Sequence, residues 1–131
     1  MKQEEKDLLL KDLCARLPYG VRIRIRYCDL QRDCDWVEKD TEITCNNVGY
    51  CADGFYSDFK PYLRPMSSMT EKERAFYAIL INTISETQDM NHLPKRCEYM
   101  FNWLRANHFD YNGLIEKGLA LEAPADMYKT K

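Results

Sequence analysis

Val21-Arg22-Ile23-Arg24-Ile25-Arg26-Tyr27 alternates apolar and basic side chains without a break. A period of two puts Val21, Ile23, Ile25 and Tyr27 on one face of a pleated strand and the three arginines on the other. No helical wheel separates them this way, and β-branched residues favour the strand. One buried and one solvated face is the pattern of an antiparallel sheet. A second alternation, from Trp36 to Cys45, sets Val37, Ile43 and Cys45 against Trp36, Glu38, Asp40, Glu42 and Thr44. With the polar connection Cys28 to Asp35 between them, the two segments read as a hairpin. Asn46-Asn47 and Asp53-Gly54 mark turns, with a short third strand around Val48 to Cys51.

Outward from the hairpin the period changes to 3.6. Residues Lys6 to Leu17 form an amphipathic helix with Leu9, Leu10, Leu13 and Leu17 on its apolar face. Lys11, Asp12 and Arg16 fall elsewhere on the wheel, and Pro18 and Gly20 end the helix. Lys60-Pro61-Tyr62-Leu63-Arg64-Pro65 is extended, because each proline excludes the helical region for its predecessor; it is expected as a strap between sheet and helix. A proline-binding partner is the alternative use of that stiff segment. Thr70 with Glu73 makes a capping box, and Ser68 with Glu71 offers a competing start. The helix that follows is expected to bury Phe76, Ile79, Leu80, Thr83 and Ile84, running to about Gln88. Pro94 opens another helix, with Cys97, Met100, Phe101, Leu104 and His108 on one face. Leu119 to Ala123 reads as a short edge strand.

These elements define an α+β domain: an N-terminal helix, a small antiparallel sheet, two C-terminal helices packed on it and a short terminal strand. The 131 residues suit a single domain over 1–131, with 125–131 expected as a flexible tail. A content of 45% hydrophobic and 31% charged residues supports a packed core rather than a disordered chain. The charged N-terminus carries no targeting segment, and no run of apolar residues is long enough to span a membrane, so the cytoplasm is the expected compartment. A net charge of −2 argues against general nucleic-acid binding, which needs a basic excess to neutralise phosphates.

Six cysteines include two Cys-x5-Cys pairs, Cys28/Cys34 and Cys45/Cys51. A reducing compartment disfavours disulfides, and zinc knuckles use two to four intervening residues, so the thiols are read as small hydrophobes and no metal or other cofactor is expected. His108 precedes Asp110, but an oriented base also needs a nucleophile, and no such motif accompanies it; helix capping is the plainer role. No Gly-rich phosphate loop, His-Glu-x-x-His or calcium loop occurs. The pairs Asp33/Asp35 and Glu71/Glu73 read as surface or capping groups. No catalytic residue is assigned, and the expectation leans away from an enzyme.

Three further strings, Leu8 to Val21, Lys60 to Met69 and His108 to Pro124, carry a resemblance. They resemble a family of short uncharacterised proteins from gut anaerobes and their phages or mobile elements. The match is weaker from Cys28 to Ser57. The resemblance implies a small cytoplasmic protein of mobile-element origin, and it brings no activity, cofactor or catalytic residue with it.

Arg22, Arg24 and Arg26 are the sharpest local feature. Alternate side chains on a strand stand roughly 6.6 Å apart, close to the spacing of successive phosphates, which arginine binds well. Trp36 on the same face, with Tyr56 or Tyr62 nearby, could stack on bases. The competing account pairs the arginines with Glu38, Asp40 and Glu42 across the hairpin. The leading functional expectation is a non-enzymatic binding module acting through contact with a protein partner in a mobile-element context. The alternative is nucleic-acid or anionic-ligand binding through Arg22, Arg24, Arg26 and Trp36.

Overall fold

In the computed structural model, which describes residues 2–128, the alternating stretch is strand β1 (Arg22–Asp29) and the second alternation is β2 (Asp35–Glu42). They form the expected antiparallel hairpin, with Arg22 opposite Glu42, Arg24 opposite Asp40 and Arg26 opposite Glu38. Before the hairpin lies α1 (Gln3–Arg16), followed by a short turn of tighter helix over Leu17–Tyr19. Gly20 then takes a left-handed φ of 69°, a conformation that glycine adopts without strain as the chain reverses into β1.

Two expectations for the next segment give way. Val48 to Cys51 is not a strand but part of α2 (Cys45–Asp53), so Cys45 lies on a helix and not on the second strand. The Thr44 hydroxyl accepts a hydrogen bond from the Asn47 N–H at 3.2 Å, so the Asn pair read as a turn is the first turn of a capped helix. Second, Lys60 to Leu63 is no strap. It belongs to β3 (Asp58–Leu63), which pairs antiparallel with β1 up to Ile23 opposite Pro61. Proline has no N–H to donate, and the ladder with β1 stops there. Tyr62 and Leu63 instead pair in parallel with β4 (Leu121–Glu122), the expected terminal strand. The sheet is therefore mixed, in the order β2-β1-β3-β4.

The fold class is α+β as the sequence predicts, with two cores. The first packs Leu9 and Leu13 of α1, Val48 and Cys51 of α2, and Leu114 and Leu119 against Val21, Ile23, Ile25, Phe59 and Leu63. The second lies between the C-terminal helices α3 (Glu71–Glu86) and α4 (Leu93–Ala106), around Met69, Met100, Leu104 and Phe109. At the start of α3 the Thr70 cap prevails over Ser68: Thr70 and Glu73 exchange both capping-box bonds, at 2.9 and 3.2 Å. At the end of α4 it is the Asn107 amide, not His108, that caps, donating to the Trp103 carbonyl at 2.9 Å.

Arg16 joins the two cores. The sequence pattern leaves Asp12 and Arg16 off the apolar face, yet both are buried, because residues 9, 12, 13 and 16 form one inward stripe. Arg16 Nε donates to Asp12 Oδ2 at 2.7 Å and Nη2 to the Phe109 carbonyl at 2.8 Å. Asn112 donates to Asp12 Oδ1 at 2.9 Å, and the guanidinium lies 5.0 Å from the centre of the Tyr111 ring. Arg64, at the end of β3, holds Phe109 from the other side: its guanidinium lies 4.2 Å from the ring centre and forks onto Glu73 of α3 at 2.7 and 2.9 Å. The Glu73 carboxyl is thereby held below its ordinary pKa.

Within the segment expected as a tail from residue 125, Ala125 and Asp126 are exposed and Tyr128 is held against the sheet. Tyr128 stacks on His108 with ring centres 3.7 Å apart, accepts from the Arg22 N–H at 2.8 Å and donates to the Tyr62 carbonyl at 2.8 Å. Residues 129–131 lie outside the described part. The Tyr128 hydroxyl thus ties β1 to β3, and Tyr128→Phe should lower the unfolding free energy by about 1–2 kcal/mol in denaturant melts.

Burial, with Arg16 and Arg64 nearby, pushes the His108 imidazole from 6.5 down to about 4. The unfolded chain therefore takes up the proton first, and stability falls as pH drops through the window from 6.5 to about 4. From pH 7 to pH 5 the expected loss is about 1–2 kcal/mol. In chemical denaturation His108→Asn should flatten that window, since Asn tolerates the left-handed backbone of this residue without titrating.

Candidate functional site

The solvated sheet face brings together all four residues singled out by the sequence. Arg24 Nε lies 3.3 Å from Asp40 Oδ1 and 3.8 Å from Glu38 Oε1. The Arg26 guanidinium covers the Trp36 ring, 4.4 Å from its centre. Lys60 stands opposite Arg24 and Asp58 opposite Arg26 on the neighbouring strand. Tyr62 joins this face, its hydroxyl donating to Asp40 at 2.8 Å, while Tyr56 is buried on the other side of the sheet. Arg22, Arg24, Arg26 and Lys60 are thus interleaved with Glu38, Asp40, Glu42 and Asp58, and the face carries no excess of either sign. A shallow depression of 330 Å³ lies among Arg24, Arg26, Glu38, Asp58, Lys60 and Leu121.

The free edge of this sheet, β2, is charged along its length. Lys39 points to the core side, its ammonium 5.8 Å from the centre of the Tyr27 ring. An inward-pointing lysine opposes pairing with a further strand.

The other candidates from the sequence do not converge. His92 is exposed and contacts Asp89. His108 is buried, and its Nδ1 makes no hydrogen bond among the described residues. Cys28 and Cys34 meet at the end of the hairpin, where their hydrogen bond and burial push the Cys28 thiol up. Cys45 is exposed and Cys51 buried, with the Cys51 thiol pushed up to about 12 chiefly by burial. Among the described residues no three His, Cys, Asp or Glu side chains gather as a metal site. No helix among the described residues is long and apolar enough to cross a membrane.

The feature that sequence reasoning missed is the outer side of the α3–α4 hairpin. Helix α3 has no fully buried residue. Its covered stripe is Tyr77, Leu80 and Ile84, with Phe76 5.2 Å from Trp103 between ring centres. Ile79 and Thr83, expected inside, face outward, and Ile79 is 59% exposed. Tyr99 of α4 and Met90 in the connection are 58% and 73% exposed. A groove of 260 Å³ between the two helices is lined by Leu80, Thr83, Tyr99 and the stems of Lys95 and Arg96, with His92 at one end. The missed signal is the run Ala75-Phe76-Tyr77-Ala78-Ile79-Leu80-Ile81, apolar around nearly two turns where a helix covered on one side needs only a stripe.

No family model, curated protein or solved structure matches this chain, so function has to be read from its own geometry.

The ion pairs of the sheet face are exposed, and pairs of this kind contribute about 0–1 kcal/mol each. Arg24→Ala should accordingly shift the urea midpoint by no more than that range corresponds to.

Proposed function

We propose that this protein is a cytoplasmic, non-enzymatic contact module whose α3–α4 hairpin docks onto protein. The observation that carries this reading is a helix whose middle two turns, residues 75–81, are apolar almost all round yet covered on one side only. Leaving apolar surface in water costs roughly 25 cal/mol per Å², and Ile79, Tyr99 and Met90 are large side chains to leave there. Basic stems from Lys95 and Arg96 rim the groove, as expected of a polar rim around an apolar centre. The mobile-element setting rests on the resemblance of the three quoted strings.

The sheet face is the weaker candidate for a ligand. Arg24 already has two carboxylates within reach and Arg26 lies over Trp36, so a phosphate would have to displace these contacts rather than meet three free cations. Catalysis has less support again, since His108 is stacked on Tyr128 and has no described hydrogen-bond partner on Nδ1.

A photo-crosslinking residue placed at position 79 or 99 should trap protein in cells, while one at position 38 should not. Nucleic-acid adducts from position 38, with none from 79 or 99, would overturn the reading in favour of the arginine face.

A further inference from the structure

One exposed charge near each end of α3 has the wrong sign for its own helix, although Glu71 and Glu73 supply the first turn with acids that suit it. Lys72 lies in the first turn, where the helix dipole favours an anion, and Glu86 ends the last, where it favours a cation. Neither has an ion-pair partner among the described residues. Both are exposed and lie seven residues either side of exposed Ile79. Lys72, Ala75, Ile79, Asn82 and Glu86 follow steps of three, four, three and four, the spacing of a two-helix seam, and all five are exposed.

We infer that this seam is an interface with a second copy of the chain, α3 packing antiparallel on α3 about a two-fold axis at Ile79. This rests on the reading of the outer hairpin face as a contact surface and names its occupant. The two-fold axis sets Ile79 against its own copy and Lys72 against Glu86 of the other chain, at both ends of the seam. A parallel pairing would oppose Lys72 to Lys72 and Glu86 to Glu86. The antiparallel one corrects both ends, because each misplaced charge gains a partner and each helix end faces the opposite pole of its neighbour. Ala75 keeps the helices close, and Tyr99 borders the groove on the Thr83 side and extends the contact onto α4. Sixteen residues give a seam of about 24 Å. So short a seam belongs with the small interfaces, those under about 1,200 Å², and a reversible dimer is expected.

The test is sedimentation velocity of the full chain from about 1 µM to about 1 mM, the range in which so small an interface dissociates. The native chain should pass from monomer to dimer. Ile79→Asp should weaken the dimer at least tenfold, and Lys72→Glu or Glu86→Lys alone should each weaken it severalfold. The double exchange Lys72→Glu/Glu86→Lys should restore it. Each charge change suits the helix dipole better than the native residue, so fraying of α3 cannot account for a loss, and circular dichroism confirms that the variants fold. A dimer indifferent to Ile79→Asp, or a double exchange that restores nothing, overturns the proposal. A chain that stays monomeric throughout also overturns it, and the wider contact reading then stands if position 79 still crosslinks to other protein and falls if it does not.

Discussion

A charged side chain at 0% exposure sets the terms for this fold. Arg16 lies at the end of the first helix, and burying a guanidinium costs several kcal/mol unless its charge and its donors are met. Asp12, one turn back, meets the charge, and the Phe109 carbonyl, 93 residues on, takes one of its N–H groups, while Nη1 is left without a partner among the described residues. The second contact is the consequential one. It obliges the chain after α4 to return to α1, bringing Phe109, Tyr111 and Asn112 with it. Arg64 repeats the logic from the far side of the Phe109 ring, and its bidentate bond to Glu73 ties the end of the sheet to α3.

Two half-cores follow from this arrangement. The sheet buries one face beneath α1, α2 and the turns after Asp110, whose carboxylate accepts from the Leu114 and Ile115 N–H groups. The α3–α4 hairpin closes a smaller core around Phe109. Because the hairpin is anchored at its base through Phe109 and Glu73, its outer side stays open without loosening the rest. An apolar outer side and a rigid base belong together in a docking element, since affinity gained from burial is not spent on ordering the helices. The charged sheet face presents the opposite case: its polar groups already have neighbours, and nothing apolar is left uncovered apart from Trp36, which Arg26 covers in part.

The elements with one dominant period are legible from sequence. Strand β1, the hairpin register with acids opposite arginines, and the capping box at Thr70 all follow from local chemistry that the tertiary structure leaves in place. Legibility fails where two local codes coincide. Asn46-Asn47 is both a turn signal and the start of a capped helix, and only the Thr44 side chain decides between them. Pro61 suggests a loop, but it stands where β3 changes partners, a place in a strand where a missing N–H costs little. Asp12 and Arg16 look solvated until a partner 93 residues away gives the pair a reason to be inside. The candidate site was illegible for a related reason. The apolar residues of α3 predict burial, and the sequence does not reveal that this chain supplies cover for only one side.

The central claim is that Arg16 couples the two half-cores. Hydrogen exchange on the Arg16→Met variant under native conditions tests it most directly. Loss of the tie should leave the amides of β1 and β2 near their native protection while those of α4 and of residues 109–112 exchange far faster. Protection lost equally across both half-cores, or lost nowhere, would contradict the claim.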